Sequence, residues 1–413
     1  MLSVKDAETI IFNLVQPLQY PQDTEVVDLS SENRILATPI TSQLDFPHWD
    51  NSAMDGYAVR YADVQQATKD KPVYLEIVEE IQGGYQPQSN IQQGQAARIF
   101  TGAVMPKGAD TVVMQEESRR ESDRVIILNA PKYQEFVRHQ GSYYQAGSQL
   151  LPVGIRLNAP EIAVLAAVQC PRVNVYRKPK IAILSTGDEL VTPNQPLKPG
   201  QIVDSNQYAL AALVRQMGIE PLIMGIIPDD KEALQQAIDS SISHADIVLS
   251  SGGVSVGEYD YVEKIITHLQ GQIHVHAVAM KPGKPLTVTT FKRNNRPVLY
   301  FGLPGNPVSA LVTFWRFVQP AIAKLSGVVD GWQPQFVNAV ATRDLHGAGK
   351  RETYLWGKLS LVDGMYQFHL AGGNHSSGNL INLAQTNALA VIRLGENLIA
   401  AGDAVKVLKI GNY

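Results

Sequence analysis

Leu249-Ser-Ser-Gly-Gly-Val-Ser-Val-Gly-Glu-Tyr-Asp260 is the stretch whose reading decides the fold. The residues leading into it, Asp246-Ile-Val-Leu249, form a short apolar run without polar alternation. That is the pattern of a strand covered on both faces, as in a parallel sheet. Ser250, Ser251, Gly252 and Gly253 then turn the chain sharply. A glycine pair lets backbone N–H groups approach a ligand closely, and neighbouring hydroxyls add donors suited to anionic oxygens. A helix is expected to start near Asp260, whose carboxylate can cap it or reach a cation.

Two further loops have the same character. Lys281-Pro-Gly-Lys-Pro285 carries two ammonium groups on a stiff segment. Gly302-Leu-Pro-Gly-Asn-Pro-Val-Ser309 sets Asn306 at an N-cap and Pro307 at the first helical position. A helix start of that kind favours anions, and Ser309 falls in its first turn.

The chain has 413 residues, enough for two to four domains at about 150 residues each. Hydrophobic residues make up 45% and charged residues 18%, a core-forming composition. The formal charge of −4 advertises no nucleic-acid surface. Cys170 is the single cysteine, which excludes an internal disulfide and a thiolate metal cluster, and its apolar surroundings suggest a core position. Residues 1–15 include Lys5, Asp6 and Glu8 and read as an amphipathic helix, not a signal peptide. No apolar run approaches the ~18 residues of a membrane span. A cytoplasmic protein is expected.

In chain order, Ser3 caps a helix over 3–15, and 25–36 contains a strand followed by a helical turn at Arg34-Ile-Leu-Ala. After Asp50-Asn-Ser-Ala-Met-Asp-Gly-Tyr57 the pattern turns to short β runs at 73–81, 96–101, 111–116 and 124–128. Residues 150–169 return to helical character and are expected to pack beside the first helix. From 178, strands and helices alternate, which implies a parallel sheet wrapped by helices. A long helix over 307–325 should kink near Pro320. Five further β runs follow 331. The fold expected is therefore multidomain α/β plus β. A linker domain of helix and extended chain spans 1–45 and 147–177, and a small β domain at 46–146 is inserted in it. A central α/β sandwich covers 178–330, and a barrel-like β domain covers 331–413.

In doubly wound sheets, ligands sit outside the carboxyl ends of the strands. Thr186–Glu189, Asp229 and the 250–260 stretch all fall there, so they should share a cleft. The acids Asp188, Glu189, Asp229, Asp230 and Asp260 suit a hard cation such as Mg²⁺, held largely through waters, although an acid before a helix also serves as a cap. The histidines show no zinc spacing. Neither G-x-G-x-x-G after a strand nor a P-loop occurs. What remains is anion chemistry driven by charge placement.

Five segments together resemble the molybdopterin molybdenumtransferase (MoeA) family, which includes the gephyrin E-domain. They are Asp50-Asn-Ser-Ala-Met-Asp-Gly-Tyr-Ala58, Ser185-Thr-Gly-Asp-Glu-Leu190, Ser250-Ser-Gly-Gly-Val-Ser-Val-Gly-Glu258 with Asp260, Lys281-Pro-Gly-Lys-Pro285 and Gly302-Leu-Pro-Gly-Asn-Pro307. The resemblance covers nearly the whole length. It implies a central domain of the molybdopterin-binding type and Mg²⁺-dependent insertion of molybdate into adenylylated molybdopterin, releasing AMP. It also implies a homodimer whose site lies between one subunit's α/β domain and the other's second domain, and contact with the molybdopterin adenylyltransferase that supplies the substrate. Asp55 and Thr101 match functional positions of the second domain. Glu189, Asp229 and Asp260 match the acidic, cation-linked set, with Asp229 and Asp260 as the metal ligands. Lys281, Lys284, Pro285, Ser309, Arg351 and Ser377 match positions expected to hold molybdate. Thr186, Ser251, Gly252, Gly253 and Ser255 complete the binding set. A non-catalytic molybdopterin-binding scaffold of the same fold is the alternative.

One departure stands out. In Val137-Arg-His-Gln-Gly-Ser-Tyr-Tyr144, Tyr143 occupies a position where family members often carry an acid. A phenol, with an ordinary pKa of about 10, offers a neutral donor and acceptor in place of a charge. Tyr143→Asp is therefore expected to leave turnover within about tenfold, a barrier change near 1.4 kcal/mol. An inactive natural chain whose turnover is restored by that substitution would contradict this.

Overall fold

The computed structural model describes residues 1–18, 22–27, 31–252, 259–293 and 296–411, with the backbone alone at 22, 26 and 259–261. At its centre is a six-stranded sheet in the order Leu222–Ile227, Ile181–Thr186, Ile247–Ser251, Arg296–Leu303, Pro285–Arg293, Gln272–Ala277. The side-chain period of two sorts its residues between two cores. Ile181, Ile183, Ile247, Leu249, Leu299 and Phe301 face one core, shared with helix Asn206–Gln216 and the helical segment 307–325. Ala182, Leu184, Val248, Val298 and Tyr300 face the other, under helices Lys231–His244 and Tyr259–His268.

The first four strands are parallel, as expected, but Pro285–Arg293 is reversed and pairs antiparallel with both its neighbours. The reason is chain length. A parallel return needs a crossover of about a dozen residues, whereas the strands ending at Ala277 and Arg293 are followed at once by the next ones. The expected kink near Pro320 is instead a π turn at Phe314–Val318, directly before helix Gln319–Leu325.

Helix Val4–Leu14 starts where expected, with Ser3 Oγ accepting from the Asp6 amide at 3.1 Å. Its packing differs from expectation. Ala7, Ile11 and Phe12 enter the central core, not the surroundings of helix Ala159–Ala167. Leu2 N–H donates to Ala277 O, Ala279 N–H to Leu2 O, and Lys324 Nζ to Phe12 O. Leu165, in helix Ala159–Ala167, covers a separate cluster of Leu36, Ile40, Val173 and Val175. An amphipathic pattern identifies an apolar face but not the partner it meets. Arg34-Ile-Leu-Ala is not a helical turn either. Ile35 and Leu36 bridge to Arg156 and Val175, and the buried Arg34 guanidinium pairs with Asp23 and Glu25. Cys170 is half-buried, and its Sγ donates to Arg172 O.

Two antiparallel pairings tie the flanks of the second β unit together: Gln22–Val26 with Arg172–Tyr176, and Ile40–Thr41 with Gln149–Leu151. The unit itself is a six-stranded sheet in which Gly56–Val59 lies between Gln95–Ile99 and Thr111–Met114. At the C-terminal end, five strands close on themselves. Phe336–Ala341 pairs with Ala404–Lys409, which pairs with Ala388–Ile392, then Glu352–Val362 and Met365–Leu370, which returns to the first. Closure removes the exposed edges.

Asp246 anchors the amino end of the sheet. Its carboxylate is 3% exposed and accepts both Arg177 terminal nitrogens at 2.7 and 2.8 Å and the Lys180 amide at 2.9 Å, with Arg296 at 3.5 Å. Burial works against its charge, but the bonds from Arg177 and Lys180 and the Arg177 and Arg296 charges outweigh it, holding its pKa below the usual value. A carboxylate depressed in this way contributes stability above its unfolded pKa of about 3.9 and loses it as pH falls through the folded value. Asp246→Asn leaves Arg177 unpaired and should cost about 3 kcal/mol in urea unfolding at neutral pH. The difference from wild type should shrink below about pH 4; a pH-independent difference would contradict the role.

Candidate active site

The parallel register sets Ser185 beside Ser251 and Ser251 beside Leu303, so the turns after these strands open along one edge. Thr186, beside Ile227, brings the turn after Leu222–Ile227 to the same edge. Ser185 Oγ and Ser251 Oγ are hydrogen-bonded at 3.1 Å and buried. Gly252 has φ +92°, and a β-carbon there would stand 2.3 Å from Thr186 O, so no other residue fits. Thr186 is 4% exposed, and its Oγ1 has no hydrogen-bond partner among the described residues. A buried orphan hydroxyl beside a glycine turn is a donor held ready for a ligand.

Asp188 and Asp229 are latched together, the Asp188 amide donating to Asp229 Oδ2 at 3.3 Å and the Asp229 amide to Asp188 Oδ1 at 3.1 Å. The Glu189 carboxylate folds back over Gly187. Asp230 is an N-cap, accepting from the Ala233 amide at 2.8 Å. Gly253 and Ser255 lie outside the described residues, as does the side chain of Asp260, whose backbone lies in the first turn of Tyr259–His268. Among the described residues no three His, Cys, Asp or Glu side chains converge as a metal cage. The Asp188–Asp229 pair offers the hard oxygen donors that Mg²⁺ prefers, one or two carboxylates completed by water and ligand oxygens.

The second half of the site is built by pairing between domains. Met280–Lys281 runs parallel to Glu352–Thr353, and Glu352 N–H donates to Ala279 O at 2.9 Å. Lys281 is thereby carried beside the start of Glu352–Val362, which Arg351 immediately precedes. Val278 N–H donates to Lys284 O, closing the loop between, and Pro285 opens the next strand. Gly283, at φ +106°, packs so closely that a β-carbon would stand 2.7 Å from Thr313 Oγ1. Thr313 lies four residues beyond Ser309, one helical turn along the same face. Asn306 occupies the N-cap position without a side-chain cap bond, and Val308 N–H donates to Ser377 O at 3.1 Å. Thus backbone pairing and packing bring together the segments that carry Lys281, Lys284, Ser309, Arg351 and Ser377, from four separate sequence regions. The two halves touch where Gly305 lies against Gly252, 3.6 Å from a β-carbon to Cα.

Asn206 had drawn no attention as a site residue. It donates to Gly305 O at 2.8 Å, while its Oδ1 is buried without a partner among the described residues. Asp204 beside it is 2% exposed and holds the Gln207 amide. The available signal was a polar Asp-Ser-Asn triplet opening an apolar helix.

Asp55 and Thr101 form a separate constellation. The Thr101 hydroxyl and amide both donate to Asp55 Oδ1, at 2.7 and 2.8 Å, and hold its carboxyl below the usual range. Among the described residues no hydrogen bond or ion pair joins 46–146 to 178–330. Tyr143 is 63% exposed and lies 6.0 Å from the Phe46 ring, centroid to centroid.

Gly252→Ala adds a strained conformation and a clash with Thr186 O. It should cost about 2–4 kcal/mol in thermal or urea unfolding; a loss under about 0.5 kcal/mol would mean the turn is not under this constraint.

Three family models match the chain: "MoeA N-terminal region (domain I and II)" over residues 2–168, "Probable molybdopterin binding domain" over 182–324, and "MoeA C-terminal region (domain IV)" over 338–410. A molybdopterin molybdenumtransferase of Nostoc sp. is 64% identical over 411 residues, 99% of this chain and 94% of that protein. The enzyme of the same name from Haemophilus influenzae is 34% identical over 416 residues, 98% of each. A crystal structure of a molybdopterin biosynthesis MoeA protein from Pyrococcus horikoshii superposes with a TM-score of 0.81 at 29% identity, over 100% of both chains. A second such structure, from strain OT3, gives 0.83 at 26% identity, over 99% of this chain and 100% of that one. With the conserved architecture and near-complete coverage in both directions, the chain belongs to the molybdopterin molybdenumtransferase (MoeA) family, enzymes of molybdenum cofactor biosynthesis.

Proposed function

We propose that the chain inserts molybdate into adenylylated molybdopterin in a Mg²⁺-dependent reaction that releases AMP. The observation that carries this reading is the pairing of Met280–Lys281 with Glu352–Thr353, which sets the segments bearing Lys281, Lys284 and Arg351 side by side, with Gly283 packed against the helix that bears Ser309. Such a group suits a tetrahedral dianion: three cations oppose its charge, and hydroxyls and helix amides donate to its oxygens. At the neighbouring sheet edge, the orphan Thr186 hydroxyl, Ser251 and the Gly252 turn suit the phosphate of the adenylylated pterin.

Asp188 and Asp229, with Asp260, would hold Mg²⁺, which when bound neutralises charge on the phosphate oxygens and eases departure of AMP. Glu189 stands at the same edge and can orient a substrate hydroxyl or water. Pro285 stiffens the exit of the lysine loop. The chain's own contribution is to bring the dianion and the pterin together in fixed orientation, which lowers the entropic part of the barrier.

Asp55 and Thr101 enter this reading through a second copy of the chain. A carboxylate held ionised by two Thr101 bonds, with no hydrogen bond or ion pair to its own α/β domain among the described residues, fits a site completed across a homodimer. The adenylylated substrate requires an adenylyl-transferring enzyme, and hand-over from a molybdopterin adenylyltransferase in the cytoplasm belongs to the same reading.

The test is molybdenum insertion in purified protein with defined Mg²⁺. Lys281→Ala should weaken molybdate use about ten- to hundredfold, since charge-assisted contacts contribute roughly 1.5–3 kcal/mol each, and chelation of Mg²⁺ should stop turnover. Unchanged molybdate dependence in Lys281→Ala would reject the dianion site.

A further inference from the structure

Arg316 lies on the π turn Phe314–Val318 and is 4% exposed. Its Nε donates to the Tyr354 hydroxyl at 3.1 Å and its Nη2 to Glu8 Oε2 at 2.6 Å. Tyr354 in turn donates to Glu352 Oε1 at 2.5 Å. One chain of hydrogen bonds thus runs from the first helix, through the helical segment of the α/β domain, into the barrel strand Glu352–Val362. A buried charge is costly unless paired, so its retention here calls for a role, and π turns recur at functional sites.

The strand's alternation indicates the role. Glu352, Tyr354 and Trp356 share one face, and Arg351 and Thr353 the other. Arg316 and Glu352 hold the Tyr354 hydroxyl between them, which fixes the face and register of the strand where it meets Met280–Lys281. On the opposite face, Thr353 Oγ1 donates to Arg351 O at 3.2 Å and accepts the Ala348 amide at 2.9 Å, so Arg351 is set by the same register. One pair further along, Trp356 Nε1 donates to Asn382 Oδ1 at 3.0 Å, and Asn382 holds Gly372 O and Asn374 O in the loop carrying Ser377.

We propose that Tyr354, clamped by Arg316, is a positioning residue that holds Arg351 against the Lys281–Lys284 loop. This rests on the molybdate reading above. The hydroxyl itself touches no substrate; it acts through the strand that presents Arg351.

The test uses the full chain and the molybdenum-insertion assay. Tyr354→Phe removes one oxygen and should raise the molybdate KM about tenfold, more than it lowers kcat, while near-UV circular dichroism at the assay temperature is unchanged. Adding Tyr354→Phe to Arg351→Ala should do nothing further, because coupled residues are not additive. Glu8→Gln, at the far end of the chain of bonds, should shift the molybdate KM in the same direction by a smaller factor and serves if Tyr354→Phe folds poorly. An unchanged molybdate KM in both variants, or additive effects with Arg351→Ala, overturns the positioning role while leaving the functional reading intact. A wild-type chain without molybdate-dependent turnover overturns both.

Discussion

Two backbone rungs, Met280 beside Glu352 and Lys281 beside Thr353, join the central sheet to the C-terminal barrel, and the candidate oxyanion site depends on them. They carry Lys281 beside the start of Glu352–Val362, which Arg351 immediately precedes, with Lys284 close by on a loop closed by Val278. A dianion bound between these segments would oppose their positive charge. The stiffness of Lys281-Pro-Gly-Lys-Pro285, locked under Thr313 at Gly283, keeps the charges from moving apart.

The sheet supplies the complementary half. Four parallel strands end at one edge, and the turn after each contributes to it: Thr186–Glu189, Asp229, Gly252 and Gly305. The two halves meet at the Gly252–Gly305 contact, where neither residue carries a side chain to keep them apart. Domain arrangement and chemistry are therefore one problem. The same strand, Glu352–Val362, closes the barrel through its two antiparallel neighbours and pairs at its start with Met280–Lys281.

Much of this was legible in the sequence where local physics decides. Strand Val73–Ile81 matches the expected bounds, and the helix expected near Asp260 begins at Tyr259. The tight glycine turn was legible from residue type alone, since Gly252 takes φ +92° against Thr186 O. What escaped was decided by distant partners. The rungs at 280–281 and 352–353 are backbone contacts, which leave no side-chain signature. The apolar face of Val4–Leu14 did not say that it would meet the α/β core and not Ala159–Ala167. The antiparallel edge was signalled by short connections and overlooked because the preceding alternation was so regular. Arg316, one of two cations in the apolar segment 307–325, takes its meaning from its distant partners Glu8 and Tyr354.

A cleft of about 510 Å³ lies at the opposite edge of the sheet, lined by Lys178, Lys180, His244 and Arg296 among others. It is also cationic, and it gives the account a sharp rival location for an oxyanion. The most direct measurement is therefore a crystal of the full chain soaked in molybdate, with the molybdenum located by anomalous scattering. The account predicts a molybdenum peak among Lys281, Lys284, Ser309, Arg351 and Ser377. A peak at Lys178 and Arg296, with none at the lysine loop, would contradict it.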